Sequence, residues 1–148
     1  MGGSSKLIDI LLVEDNPGDV ELTREEFEGG KFRNALSVAR DGDEALDFLF
    51  KRGSFSDAKT PDLILLDLNL PKTDGREVLE TIKSDEKLKN IPVIILTSSQ
   101  VDRDVLEDHG LPSTCYIVKP ISMSQLLNVL KKLEEFWIDI VRTPALGS

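Results

Sequence analysis

The sequence predicts an α/β fold: a doubly wound, five-stranded parallel sheet with helices on both faces. Short apolar runs alternate with amphipathic stretches five times along the 148 residues, which is typical of parallel strands joined by helices. Most of these runs are continuously apolar, as expected for strands covered on both sides. No run approaches the roughly 20 apolar residues of a membrane span.

The first unit begins with a strand predicted over Leu7–Val13, followed by a helix within residues 16–30. Asn16 can cap this helix, because its side chain can accept a hydrogen bond from the first turn. Val20 and Phe27 are seven residues apart and therefore share one helix face, with Thr23 between them, whereas Leu22 falls on a different face. The two glycines that follow are expected to end the helix.

The second and third units repeat this pattern on either side of a polar loop, SFSDAKTP. The second unit consists of a strand over Ala35–Ala39 and a helix over Gly42–Gly53, and the third of a strand over Asp62–Leu68 and a helix over Gly75–Asp85. The apolar residues expected to face inward from the second helix are Ala45, Leu46, Leu49 and Phe50.

The last two units complete the alternation. The fourth consists of a strand over Ile91–Ser99 and a short helix over Asp102–Gly110, which ends at a glycine. The fifth consists of a strand over Cys115–Pro120 and a long helix over Ser122–Val141. Proline disfavours a helical residue before it, so this helix is expected to end ahead of the Thr143–Pro144 pair.

The chain length and these elements predict one domain, residues 7–141, followed by a tail over residues 142–148. Residues 1–6, ahead of the domain, resemble a tail left by an expression vector. The only cysteine, Cys115, cannot form an intramolecular disulfide. A reducing, cytoplasmic location is therefore expected.

The charge balance limits the possible partners. The chain has 27 acidic residues against 18 basic ones, for a net charge of −9. Phosphate contacts need a basic surface, so we expect no direct binding to nucleic acid. An anionic membrane surface is disfavoured for the same reason.

Charged and hydroxyl side chains follow four of the predicted strands. Glu14 and Asp15 follow the first strand, Asp67 ends the third, Thr97 ends the fourth and Lys119 ends the fifth. The carboxyl ends of parallel strands meet at one edge of the sheet, where α/β proteins bind their ligands. The carboxylate that ends the run LILLD is therefore expected in a site, not in the core.

The types of these residues indicate phosphoryl transfer. Clustered carboxylates need a cation, and an all-oxygen cluster suits magnesium. A carboxylate beside such an ion stays ionised and can act as a nucleophile. Lys119 and the metal would share the charge of a phosphoryl group, and Thr97 could donate a further hydrogen bond. The reaction predicted is transfer of a phosphoryl group to Asp67.

The stretches LLVEDN, LILLDLNLPKTDG, VIILTSS and YIVKP resemble those of CheY-like receiver domains of two-component response regulators. The resemblance covers about Leu7–Glu135 and implies their flavodoxin-like fold. The stretches VEDNPGDVELT, ARDGDEALDFL, LDLNLPKTDGREVL and FWIDIV most resemble a narrower group, the single-domain regulators that are partners of phytochrome-type histidine kinases.

The resemblance implies roles for the acidic residues and the loop after the third strand. Asp67 is implied to be the phosphoacceptor. Glu14, Asp15 and Asp67 form the acidic pocket, and the backbone carbonyl of Asn69 completes the magnesium site.

Further roles are implied near the last two strands. Thr97 and Tyr116 are implied to be the switch pair that responds to phosphorylation. Lys119 is implied to contact the phosphoryl group, and its bond to Pro120 is implied to be cis.

The function expected from this resemblance is signalling controlled by phosphorylation. The chain would accept a phosphoryl group from a sensor histidine kinase and then bind a downstream protein in one phosphorylation state. It would catalyse its own phosphorylation and dephosphorylation, with no turnover of an external substrate.

The last helix carries more apolar residues than one face needs. Leu126, Leu130, Leu133 and Trp137 form one stripe, which Val129, Phe136 and Ile140 extend around the helix. We expect a homodimer held through the last strand and last helix, with Phe136, Trp137 and Ile140 in the interface. Tyr116 would lie on the strand beside this helix, so the strength of the dimer could depend on phosphorylation. The alternative is a wide stripe packed on the chain's own sheet.

Two other function classes fit parts of the pattern. A haloacid-dehalogenase-type phosphatase also uses a strand-end aspartate, but it needs a second acid two residues later, where this chain has Asn69. A flavodoxin-like flavin binder needs a first loop that holds phosphate. Here that loop begins with Glu14 and Asp15, which would repel phosphate.

Overall fold

The structure, a computed structural model, describes residues 7–29, 34–68, 70, 75–97 and 116–132. Within these ranges, five parallel strands form one sheet in the order β2-β1-β3-β4-β5. The strands are β1 (Ile8–Val13), β2 (Asn34–Ala39), β3 (Leu63–Asp67), β4 (Val93–Thr97) and β5 (Tyr116–Val118). The predicted fold class is confirmed. The strand order reverses beside β1 and β3, where ligands of such sheets bind.

Four α-helices lie within the described residues: α1 (Pro17–Glu28), α2 (Gly42–Leu49), α3 (Gly75–Ser84) and α4 (Met123–Lys132). A short 3₁₀ turn, Gly53–Phe55, follows α2. The helix predicted over residues 102–110 and the last part of the final helix, residues 133–141, lie outside the described residues.

The sheet separates two apolar clusters, each lying under a different pair of helices. Successive strand residues point to opposite faces, so Leu11 and Val13 face the α2–α3 side while Ile10 and Leu12 face the α1–α4 side. Every residue of β3 and β4 is buried. This burial on both faces explains why the strands read as continuous apolar runs.

Helix α1 begins as its sequence predicts. The Asn16 side chain accepts a hydrogen bond from the Asp19 backbone N–H at 3.0 Å, which satisfies a donor of the first turn. Phe27 is buried and Val20 packs against the α1–α4 cluster, so the face that these two residues share is the inward one. This docking holds the amino end of α1 beside the carboxyl ends of the strands.

The prediction that Phe50 faces inward is wrong. Helix α2 ends at Leu49, and 38% of Phe50 is exposed. The guanidinium carbon of Arg52 lies 5.1 Å from the centre of the Phe50 ring. The chain leaves its helical path here, since the Lys51 and Arg52 N–H groups close the helix end on the Phe48 and Asp47 carbonyls and Lys51 has a φ of 57°. Helical periodicity therefore does not apply at Phe50.

Candidate functional site

The strand ends bring the predicted residues together at one edge of the sheet. The backbone N–H of Glu14 donates to the Ala39 carbonyl at 2.9 Å, and that of Lys119 donates to the Thr97 carbonyl at 2.7 Å. These bonds continue the sheet into the site and fix where the side chains start. Asp67 is the last residue of β3 and is only 2% exposed. It thus lies at a strand end as predicted, yet as deeply as a core residue.

The Lys119 ammonium is the centre of the site. Its Nζ donates to Glu14 Oε1 at 2.8 Å, to Asp67 Oδ2 at 2.9 Å and to Asp19 Oδ2 at 3.1 Å. An ammonium has three N–H groups, so each can be directed to a different carboxylate. The Lys119 side chain is 15% exposed, and that of Glu14 is 1% exposed. These ion pairs are therefore weakly screened by solvent.

The surroundings shift the proton affinities of two of these groups. Burial and a hydrogen bond with Asp67 raise the pKa of Glu14 to about 7, although Lys119 acts in the opposite direction. Burial would lower the pKa of Lys119, but its hydrogen bonds to Glu14, Asp67 and Asp19 outweigh this and raise that pKa above its usual value. Lys119 therefore stays charged at neutral pH, whereas Glu14 ionises less readily than an exposed glutamate.

The acidic residues fit a divalent cation. Glu14, Asp15 and Asp67 each offer a carboxylate oxygen, and these oxygens lie within 4.8 Å of one another. Hard oxygen donors of this kind suit Mg²⁺, which retains several waters and takes few protein ligands. Asp15 is exposed, whereas Glu14 and Asp67 are buried. Asn69, predicted to supply a further ligand, lies outside the described residues.

Gly75 allows α3 to approach the end of β3, a contact that sequence reasoning missed. A Cβ atom at Gly75 would lie 2.7 Å from the Asp67 carbonyl oxygen and 2.8 Å from Leu68 Cα. Both are backbone atoms of the segment that carries the acceptor carboxylate, so any larger residue would displace it. The sequence placed Gly75 only at the start of a helix.

Asp19 was also missed. It lies in the first turn of α1, where an acidic residue is favoured by the helix dipole alone. Only the packing of α1 against the sheet reveals its 3.1 Å contact with Lys119, which is 100 residues away in sequence. No local pattern in the sequence could have indicated this pair.

Thr97 and Tyr116, the predicted switch pair, lie on neighbouring strands. Thr97 is fully buried at the end of β4, and Tyr116 is partly buried at the start of β5. Tyr116 is the register partner of Ile95, which lies two residues before Thr97 on the same strand. Strand alternation therefore places both side chains of the pair on the α2–α3 side. Their role as a switch stays a prediction.

The expectation that Tyr116 lies on the strand beside the last helix is confirmed, since β5 contacts α4, but its side chain points to the other face of the sheet. Tyr116 packs against the α2–α3 cluster, whereas Leu126 of α4 belongs to the α1–α4 cluster on the opposite face. The next residue, Ile117, faces α4 instead. Because β5 is covered on both sides, its apolar sequence did not show which residue would face which helix.

The described part of the last helix covers the chain's own sheet. Leu126 is fully buried and Val129 is 8% exposed. The predicted interface residues Phe136, Trp137 and Ile140 lie outside the described residues. The implied cis bond between Lys119 and Pro120 is confirmed.

The fold and this site define a class of protein, a domain that accepts a phosphoryl group on an aspartate beside a divalent cation. The aspartate is buried between a lysine and further acids. Residues 10–131 match the family of response regulator receiver domains. The chain therefore belongs to this family, whose members are phosphorylated on an aspartate and receive the group from a histidine kinase.

The most similar relatives and structures include regulators from phytochrome signalling. Response regulator Rcp1 of Synechocystis sp. is 42% identical over 92% of each chain. The bacteriophytochrome response regulator AtBRR is 44% identical, with a TM-score of 0.83 over 89% of this chain and 96% of that one. The phosphorylated cyanobacterial phytochrome response regulator RcpA is 45% identical, with a TM-score of 0.72 over 90% and 95%.

The structure of Rcp1 in its Mn²⁺-bound form is also similar, with a TM-score of 0.71 and 41% identity over 90% of this chain and 96% of that one.

Among the residues that the structure describes here, no helix has the length and apolar character needed to cross a membrane.

Proposed function

We propose that Asp67 of this chain accepts a phosphoryl group from the phosphohistidine of a sensor kinase, in a magnesium-dependent reaction. A bond forms between an Asp67 carboxylate oxygen and phosphorus while the phosphorus–nitrogen bond to the histidine breaks, and the imidazole leaves with the electron pair. The observation that carries the proposal is the buried Asp67 carboxylate, which lies 2.9 Å from Lys119 Nζ and beside two further acids.

The surroundings favour Asp67 over its acidic neighbours as the nucleophile. Burial and Asp67 raise the pKa of Glu14, so without a cation its carboxylate ionises less readily than that of an exposed glutamate. Asp15 is exposed and makes no ion pair with a described residue. Asp67 is buried, contacts Lys119 and ends β3, the middle strand of the sheet.

The bound Mg²⁺ would be held by Glu14, Asp15 and Asp67 and would neutralise charge on the phosphoryl oxygens. Lys119 would contact another phosphoryl oxygen, because its Nζ already lies at the Asp67 carboxylate. Thr97 ends the neighbouring strand, and its hydroxyl would donate a hydrogen bond to the phosphoryl group. Since Asp67 is consumed in each event, no turnover of an external substrate is expected.

The partner is proposed to be a phytochrome-type histidine kinase, by analogy with the regulators named above. The chain would then act on a downstream protein, through a surface that differs between the two phosphorylation states. A cytoplasmic location is part of the proposal and is supported by the single cysteine, Cys115.

Incubation with acetyl phosphate and magnesium, followed by intact mass spectrometry, tests the proposed acceptor. We expect one added phosphoryl group on the wild type and none after removal of magnesium with EDTA. Asp67→Asn should take up none, because an amide is not nucleophilic. The matched control, Asp57→Asn, makes the same change at an exposed loop residue and should be labelled normally. Wild-type labelling of Asp67→Asn would refute the assignment.

A homodimer held through the last strand and last helix is a further part of the proposal. It is supported by the apolar surplus of Phe136, Trp137 and Ile140 in the sequence. Analytical ultracentrifugation with and without acetyl phosphate should show a dimer for the wild type and a monomer for a Phe136→Asp, Ile140→Asp variant. A wild type that stays monomeric at high micromolar concentration in both states would contradict it.

A further inference from the structure

Lys119 has one carboxylate partner outside the acidic cluster. Of the three acids that its Nζ contacts, Glu14 and Asp67 also belong to the cluster that fits a divalent cation. The third, Asp19, does not belong to that cluster and accepts from Nζ at 3.1 Å. The ammonium and a bound cation therefore compete for Glu14 and Asp67, but not for Asp19.

Two like charges in one small pocket repel each other, so a cation entering the cluster disfavours the ammonium there. We propose that Asp19 is a positioning residue for Lys119, which holds the ammonium at the edge of the pocket and thereby strengthens binding of the divalent cation. This inference rests on the proposed magnesium-dependent function. In this inference, Asp19 changes the affinity for the divalent cation by acting on Lys119.

The backbone of Asp19 is held on both sides. Its N–H donates to the Asn16 side chain at 3.0 Å, and its carbonyl accepts from the Thr23 hydroxyl at 2.9 Å. Thr23 is itself buried at 3% exposure. The carboxylate thus projects from a fixed helical turn, and its side chain is 32% exposed. Such a pair is less screened than one on the open surface.

A second polar contact connects α1 to the segment that follows Lys119. The Glu26 carboxylate accepts from the Met123 backbone N–H at 3.2 Å, at the start of α4. Helix α1 is therefore tied to the chain both at Lys119 and just after it. The position of Asp19 relative to Lys119 is therefore fixed by more than one side-chain contact.

Two simpler roles would also place an acid at this position. Asp19 could favour the amino end of α1 by its charge alone, as acids in a first helical turn do. It could also attract the cation directly, without any part played by Lys119. Neither role predicts that the effect of Asp19 on metal affinity depends on the charge at residue 119.

A double-mutant cycle separates these roles. Magnesium affinity is measured by isothermal titration calorimetry for wild type, Asp19→Asn, Lys119→Met and the double variant. In the wild-type background, Asp19→Asn should weaken magnesium binding about three- to tenfold, the range expected for residues coupled in one ion-pair network. In the Lys119→Met background, it should leave the affinity nearly unchanged, since no ammonium remains to be held.

Glu21→Gln is the matched control, because it removes the same charge from an exposed residue of α1. It should leave the affinity at the wild-type value, and Asp19→Glu should restore most of the loss. Circular dichroism checks that each variant is folded, and Asp19→Ser replaces Asp19→Asn if the latter is not.

An equal loss in both backgrounds, an equal loss in Glu21→Gln, or no loss in Asp19→Asn would each overturn the role of Asp19. A wild type that neither binds magnesium nor takes a phosphoryl group from acetyl phosphate would instead overturn the proposed function. The two failures are therefore distinguishable in one set of measurements.

Discussion

The interior of β3 and its last residue are equally buried but are stabilised in different ways. Leu63 to Leu66 are fully buried among apolar side chains, and Asp67, the next residue, is only 2% exposed. Burial of the leucines and isoleucine itself stabilises the fold. Burial of a carboxylate is destabilising, and it is tolerated here because Lys119 donates a hydrogen bond to it. Substitutions in the two regions should therefore have separable consequences.

Ile64→Ala should have the largest effect of these variants, and that effect is a loss of stability. Ile64 is fully buried in the α2–α3 cluster, so the variant leaves a cavity and should lower the free energy of unfolding by about 2–5 kcal/mol. Chemical denaturation measures this loss. Leu22→Ala is the control, since 47% of Leu22 is exposed and its loss should cost much less.

The folded fraction of Ile64→Ala should still take up one phosphoryl group, because the site lies beyond the strand interior. If its phosphorylation were abolished while circular dichroism showed a folded protein, the strand interior and the site would not have separate effects on stability and phosphorylation.

Gly75→Ala should affect both regions, because it lies where α3 meets the end of β3. The added Cβ would press on the backbone of Asp67 and Leu68, and such overpacking should cost about 1–3 kcal/mol of stability. It should also slow phosphorylation by acetyl phosphate, since the acceptor residue is displaced.

Gly29→Ala is the matched control for Gly75→Ala. A Cβ atom at Gly29 would meet the Glu25 carbonyl at 3.7 Å, an ordinary contact. This variant should keep the wild-type rate of phosphorylation. A Gly75→Ala variant that was as stable and as fast as Gly29→Ala would show that the close approach does not constrain the site.

Asp15→Ala should have the smallest effect on stability and should act on the metal. Asp15 is exposed, so little packing is lost, but one carboxylate of the cluster disappears. Magnesium affinity by calorimetry should fall by about tenfold or more, or roughly 1.4 kcal/mol. Asp57→Ala, at an exposed loop position, should leave the affinity unchanged. Equal titrations for the two variants would show that Asp15 is not a ligand.

The fold and the predicted acids were accessible from the sequence because both follow from local patterns. Continuous apolar runs of strand length predict buried parallel strands, and the residues just after them must share one edge of the sheet. Glu14, Asp15, Asp67 and Lys119 could be placed in one site by this reasoning alone, without any knowledge of side-chain contacts.

The contacts that were missed depend on how helices dock on the sheet. Asp19 reaches Lys119 only because α1 packs across the end of β1, and Gly75 matters only because α3 touches the end of β3. The face of the sheet to which Tyr116 points could not be predicted, because both faces of β5 are covered by apolar side chains. Such information lies in packing between distant segments, not in the spacing of residues along one element.

The measurement that tests the central claim most directly is chemical mapping of the phosphorylated residue. Borohydride reduces an acyl phosphate to an alcohol, which converts a phosphorylated aspartate to homoserine. After reaction with acetyl phosphate and magnesium, proteolysis and mass spectrometry should find homoserine at position 67 and unmodified Glu14 and Asp15. A reduced residue at position 14 or 15, with Asp67 unmodified, would contradict the account of the site.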